Sequence, residues 1–240
     1  DDDALRRGVP AVHKAYDVDT AILAGDTLYS TAFEMMADTG AAPENGLEAV
    51  RMLAETCTRI CEGQALDVEF ERRRDVLPDE YPEMVESKAA VLYGDAAATP
   101  AVLLDADDAV VDALYAYGIN SGSAFQIQDD VLDLTVPSAK LGKQRGSDLV
   151  ENKETLITLH ARQQGVDVDG LVDADDAESL TDADVEDAVA TLNEVGSIEY
   201  AREKARSLVD ESKRNLEALP DNEARSLLAA IAEYLISRGY

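Results

Sequence analysis

Cations are scarce in this chain: 50 Asp and Glu face only 21 Lys and Arg, a formal net charge of -29 over 240 residues. A field that acidic repels DNA, RNA and anionic membranes, which argues against nucleic-acid partners. It would also loosen a compact state by self-repulsion unless salt screened it, and at ~1 M the screening length falls to roughly 3 Å. The surplus is therefore read as adaptation to a salt-loaded cytoplasm. Proline (7) and glycine (14) are few and scattered, and strand-like alternation is hard to find, so the composition favours an all-α protein. Cysteine is limited to Cys57 and Cys61. Four apart in a helical pattern they share a face, but two thiols cannot complete a four-ligand metal site. Reduced core cysteines in a cytosolic compartment are the expectation. No apolar run approaches the ~20 residues that span a bilayer, and no signal peptide is visible. The two histidines, His13 and His160, lack a carboxylate or nucleophile at a telling spacing, which argues against general-base roles.

What is present is apolar and periodic. Hydrophobic residues make up 46% of the chain, enough for a sizeable core. They recur at three-and-four spacing almost throughout. The pattern predicts helices over 20–37 (largely buried), 46–72, 79–104, 107–134 and 153–164. It predicts another over 182–219, broken near Gly196, and a last one over 222–238. Pro, Gly and acidic breaks bound them. The acidic stretch 167–187 reads as a solvated connection; it lacks the glycine and terminal Glu of a calcium loop. No composition shift marks a domain boundary and no fixed repeat appears. One helical bundle over 1–240 is expected.

The strongest chemical feature is Phe125-Gln126-Ile127-Gln128-Asp129-Asp130-Val131-Leu132-Asp133. On a helix Asp129 and Asp133 share a face, with Asp130 beside them. Hard carboxylate oxygens so arranged suit Mg²⁺, which completes its shell with water and substrate phosphates. The alternative is a solvated acidic turn in a chain rich in Asp. Basic residues placed nearby weigh for the metal: Lys143 and Arg145 in Gly142-Lys143-Gln144-Arg145, Lys153, and the pair Arg6-Arg7 directly after Asp1-Asp2-Asp3. In a chain so short of cations, paired Arg beside Asp suggests a bound polyanion. Simple salt bridging is the competing reading for each.

Together these segments resemble the trans-isoprenyl diphosphate synthases, whose first aspartate-rich motif is followed by Arg-Arg-Gly-x-Pro. Here Arg6-Arg7-Gly8-Val9-Pro10 is followed by Ala11-Val12-His13. Ala21 to Asp26, Glu62-Gly63-Gln64 with Asp67, Lys88, Phe125 to Asp133, Gly142-Lys143 and Asp148 to Lys153 come in family order, so the resemblance spans the chain. The acidic composition adds a likeness to the haloarchaeal, geranylgeranyl-type members. The resemblance implies an all-α isoprenoid-synthase bundle around a central cavity, cytoplasmic and homodimeric. It implies Mg²⁺-dependent condensation of isopentenyl diphosphate with an allylic diphosphate (dimethylallyl, geranyl or farnesyl) to a linear product, of geranylgeranyl type, whose exact length stays open. It implies a metal set of Asp1, Asp129 and Asp133, with Asp130 and Asp148 supporting metal-bound water. Lys88, Arg6, Lys143 and Lys153 would grip the allylic diphosphate near Gln126, and Arg7 would bind isopentenyl diphosphate. Residues 21–36 and 91–104 would line the tail pocket, with Tyr29 and Phe33 read first as core.

Departures from the family pattern exist. Asp1 stands where the last aspartate of the first motif belongs, so the two aspartates before it and the upstream Gly-Lys-x-x-Arg segment are expected in residues that precede this sequence. Position 89 is Ala where the family usually has Thr. The chain as written is expected to be a weak catalyst or none. A non-catalytic partner subunit and a terpene-cyclase-like enzyme of the same fold are the alternatives; Arg6-Arg7-Gly8 with Gly142-Lys143 argues for the chain elongators.

Overall fold

The structure, a computed structural model, describes residues 4–6, 8–73, 75–141, 145–172 and 179–238. A two-residue hairpin opens it, β1 (Leu5–Arg6) against β2 (Val9–Pro10), with Arg6 opposite Val9 and Gly8 at φ +76 in the turn. Nearly everything else is helix. α1 (Val12–Ala15), α2 (Val18–Ala37) and α3 (Pro43–Phe70) come first. α4 (Tyr81–Val85) runs through a π-helical turn (Glu86–Ala90) into α5 (Val91–Leu103), and α6 (Asp108–Thr135) follows. The short α7 (Ser138–Leu141) and α8 (Ser147–Val150) lead to α9 (Leu156–Gln163). α10 (Asp182–Glu194), α11 (Ser197–Asn215) and α12 (Glu223–Ser237) close the chain.

Local chemistry explains where these helices start. Asp17, Thr155, Thr181 and Asn222 each accept a hydrogen bond from a first-turn backbone N–H, and Thr155 and Thr181 do so within capping boxes. Each such cap is worth about 1 kcal/mol. The break expected near Gly196 is present, with that residue at φ +75 between α10 and α11. The helix expected over 79–104 instead carries a π-turn at its centre, a feature that hydrophobic period does not report.

α6 is the axis of the bundle, packed between α5 and α11, with α3 lying across α5 and the π-turn. At Gly118 a methyl group would meet the Tyr93 carbonyl oxygen at 2.2 Å, so α5 and α6 approach backbone to backbone. The core gathers around α6, α9, α10 and α11 with Ile157, Leu192, Ile198 and Val131 fully buried. Buried polar groups are paired: the Ser121 and Ser212 hydroxyls lie 2.7 Å apart between α6 and α11, and Tyr117 Oη donates to the Leu228 carbonyl (2.8 Å), tying α12 to α6.

Two expectations are corrected. α2 has no buried residue; Leu28 is 72% exposed, and the ring of exposed Tyr29 lies 5.3 Å, centre to centre, from that of half-buried Phe33. It packs on α1 and α3, and among the described residues nothing lies across its outer apolar side. The cysteines are not core either: Cys57 is half-buried and Cys61 exposed, on the part of α3 that meets Tyr29 of α2. No helix among the described residues is long and apolar enough to cross a membrane.

Candidate functional site

The aspartate-rich segment lies on the last two turns of α6, whose flanks are sealed by α5 and α11. Its three carboxylates, alike in sequence, have different surroundings. Asp130 is buried, accepting from Tyr81 Oη on α4 (2.9 Å) and from Gln126 Nε2 one turn back (3.0 Å). Burial, and after it the charge of Asp148, pushes the Asp130 carboxyl up to about 8, against those two donors. Asp133 is 0% exposed. Ser147 Oγ donates to its Oδ1 (3.1 Å) and the Asp148 backbone N–H to its Oδ2 (3.3 Å), while its carbonyl accepts from the Gly146 N–H (2.9 Å). It therefore anchors the turn into α8 onto α6. Asp129 is the half-exposed one, and its partner is the guanidinium of Arg238, just past α12 and 109 residues away. That guanidinium also lies 3.7 Å from the centre of the Phe125 ring, a cation–π contact on the same α6 face.

The lysines come with acids as well. Lys153 Nζ meets Asp148 Oδ1 at 3.3 Å and Glu151 Oε2 at 2.7 Å. Burial by itself would lower the Lys153 ammonium, but the charges of Asp148 and Glu151 outweigh it and raise the group. Lys88 Nζ meets Asp67 Oδ2 at 2.5 Å. Lys88 rides on the π-turn, and Gly63 makes that placement possible: a methyl group there would meet the Lys88 backbone nitrogen at 2.2 Å. Only glycine lets α3 come so close, which gives Glu62-Gly63-Gln64 a physical reason. The π-turn also abuts α6 at Gly122, one turn before Gln126. Arg59 of α3 holds the turn from outside, bonding Glu86 (2.8 Å) and the Tyr115 hydroxyl (3.1 Å).

Of the residues singled out in sequence, the structure brings Gln126, Asp129, Asp130 and Asp133 onto one end of α6 with Asp148 and Lys153 beside them. Lys88 enters from the neighbouring turn, and Arg6 is exposed in the hairpin. Asp1, Arg7 and Lys143 lie outside the described residues. Arg145 is structural: its Nε donates to the Leu134 carbonyl (2.7 Å) and its Nη1 lies 3.8 Å from Glu186. Tyr81 and Arg238 were missed. Each meets its carboxylate across a large sequence separation, and no local spacing signals either one.

Among the described residues no group of three or more His, Cys, Asp or Glu side chains is assembled to hold a metal ion. The donor set nevertheless fits a hard divalent cation: oxygen ligands only, with one carboxylate, Asp129, already holding a side-chain cation. Chemically the site is an acidic ledge with separate cationic side chains, those of Arg238, Lys153 and Lys88, set among its carboxylates.

A model of the family described as polyprenyl synthetase matches residues 1–192. A geranylfarnesyl diphosphate synthase of Natronomonas pharaonis is 63% identical over 240 residues, 100% of this chain and 69% of that protein. Among solved structures, a geranylgeranyl pyrophosphate synthetase of the archaeon Geoglobus acetivorans superposes with a TM-score of 0.88 at 42% identity, over 99% of this chain and 73% of that one. A geranylgeranyl pyrophosphate synthase of Corynebacterium glutamicum, described as complexed with isoprenyl diphosphate and magnesium, gives 0.84 at 25% identity, over 98% and 72%.

Proposed function

The chain belongs to the polyprenyl synthetase family, and from that membership we propose how this prenyltransferase, a maker of linear isoprenyl diphosphate, divides the work among its residues. The substrates are isopentenyl diphosphate and an allylic diphosphate, and the product is geranylgeranyl diphosphate. The observation that carries this assignment is the end of α6, where carboxylates and ammoniums are interleaved rather than segregated. Such a surface, with carboxylates in excess of its cations, can exchange its internal pairs for a diphosphate and divalent ions together.

Asp129, with Asp1, would hold Mg²⁺, a role supported by the magnesium complexed with the Corynebacterium relative. Asp133, enclosed and bonded to Ser147 and the Asp148 N–H, would set the turn beside them instead of ligating the ion as the sequence suggested. When bound, the metal supplies positive charge that offsets the charge developing on the diphosphate as the allylic C–O bond ionises. Lys88 and Lys153 turn from Asp67 and Asp148 to the diphosphate oxygens, joined by Arg6 and Lys143; Arg7 takes isopentenyl diphosphate. Asp130, braced by Tyr81 and Gln126, keeps the end of α6 in place. The apolar faces of neighbouring helices, α5 among them, exclude water from the allylic cation and house the growing tail. The proton released after condensation leaves from the former isopentenyl unit.

A second copy of the chain is proposed to cover the face of α2 that carries Leu28 and Met35, seven residues apart and both exposed. Light scattering of Leu28→Asp should then report monomer where the parent gives dimer. A C25 product is the second reading, favoured by the name of the 63% identical relative. The test is to incubate the full-length protein with Mg²⁺, isopentenyl diphosphate and each allylic primer, and to resolve products by length. Chains of C20 fit the proposal, chains of C25 fit the second reading, and absence of elongated diphosphate refutes both.

A further inference from the structure

The three carboxylates at the end of α6 are satisfied in two distinct ways. Asp130 and Asp133 are held by the framework itself: a phenol, an amide, a hydroxyl and a backbone N–H, on elements packed against α6. Asp129 is held by a long, flexible side chain from the far end of the chain. Arg238 sits just past α12, a helix with one buried residue, Ala232, and with Leu227, Ile231 and Tyr234 exposed. Backbone bonds steady Arg238: its N–H donates to the Tyr234 carbonyl (3.1 Å) and its Nε to the Leu235 carbonyl (3.1 Å). The Nη2 arm reaches Asp129, while the planar group rests on Phe125.

We infer that Arg238 is a displaceable counter-cation for Asp129. Its guanidinium occupies the carboxylate while no divalent ion is present and must leave when one binds. The inference rests on the reading of Asp129 as a metal ligand. The guanidinium holds Oδ1, so a divalent ion that takes both carboxylate oxygens competes with it directly, and one on Oδ2 alone repels it as a second positive charge on the same group. The pair also sets a positive charge on Asp129 in a chain of net charge -29. Asp129 keeps part of its side chain open to solvent, 37% against 16% for Arg238, so an incoming ion can reach the carboxylate while the guanidinium is still on it. The cation–π shelf on Phe125 keeps the guanidinium at hand for re-pairing once the ion departs.

The occupied state lowers apparent metal affinity by the fraction of molecules in which Asp129 is open. Binding of Mn²⁺ alone, read from the free-ion paramagnetic resonance signal of the full-length protein, tests this without turnover. Arg238→Gln should bind Mn²⁺ about three- to tenfold more tightly than the parent. Arg238→Lys, which keeps the charge but loses the planar fork, should fall between. Removing any cation from so acidic a protein attracts metal, so Arg206→Gln on the surface of α11 serves as the charge-matched control and should change little. Equal affinities for Arg238→Gln and the parent, or for Arg238→Gln and Arg206→Gln, overturn the inference. If neither parent nor Arg238→Gln binds Mn²⁺, the metal reading fails and the inference falls with it. Should Arg238→Gln melt early, the Nε–H resonance of Arg238 in the parent answers directly: it should move as Mg²⁺ is added, and a fixed resonance through saturation refutes displacement.

Discussion

α2 and α6 are both long helices rich in apolar residues, yet α6 buries eleven of its 28 residues, Asp130 and Asp133 among them, while α2 buries none of its 20. Among the described residues of this chain, which spans 69% of its Natronomonas relative, the helix with the acidic cluster is deeply enclosed and the more uniformly greasy helix is uncovered. Burial is therefore a property of what surrounds a helix. α6 has α5 and α11 on its flanks, with Gly118 and Gly122 letting the neighbouring backbone come close; α2 has only α1 and α3 among the described residues. The consequence for chemistry is direct. Carboxylates carried on an enclosed helix can be desolvated and aimed, whereas a carboxylate on α2 would stay in water at ordinary strength.

That contrast can be broken or sharpened by substitution. The largest effect belongs to the site: Asp129→Ala should cut turnover of the full-length enzyme by about 10²–10³-fold with a nearly unchanged melting temperature, since Asp129 is half-exposed. Steady-state kinetics beside thermal melting check it, and near-normal turnover would end the metal assignment. Next comes packing. Leu134→Ala on α6 should cost about 2–5 kcal/mol, because Leu134 is buried in the core cluster. Leu28→Ala on α2, measured in dissociated protein by denaturant titration, should stay within about 0.5 kcal/mol.

A smaller effect is expected from Gly118→Ala, which forces a methyl against the Tyr93 carbonyl and should cost about 1–3 kcal/mol. The smallest concerns Asp95, buried on α5 with the Thr99 hydroxyl donating at 3.2 Å, its carboxyl raised by burial against that bond. The folded state keeps this proton to higher pH than the unfolded chain does. Its contribution to stability is therefore present at low pH and is lost as pH rises through the folded value. Asp95→Asn, which does not ionise, should gain on the parent as the pH of successive melts is raised; a constant gap would show that the carboxyl is not perturbed.

Much of the fold was legible in order and type. The helices expected over 107–134, 153–164 and 222–238 match α6, α9 and α12 to within a few residues, because three-and-four periodicity and capping residues are local signals. The π-turn under Lys88 was not legible, since one added residue in a turn leaves the apolar pattern nearly intact. Burial of α2 and of Cys61 was misjudged for a related reason: periodicity says which face is greasy and not whether anything covers it. At the site, Gln126, Asp129, Asp130 and Asp133 could be found together because one helix carries them. Tyr81 and Arg238 could not, because their partners are 49 and 109 residues distant.

By itself, then, the order of residues determined an all-helical chain, an excess of negative charge and the placing of three aspartates and a glutamine on one helical end. Those follow from interactions within a few residues and from simple charge counting. Which aspartate is sealed by framework donors, which rests on a guanidinium, and where a lysine must stand so that a glycine can admit its backbone were decided only when distant helices packed. Desolvation and ion pairing depend on neighbours in space, and the chain acquires those neighbours only by folding.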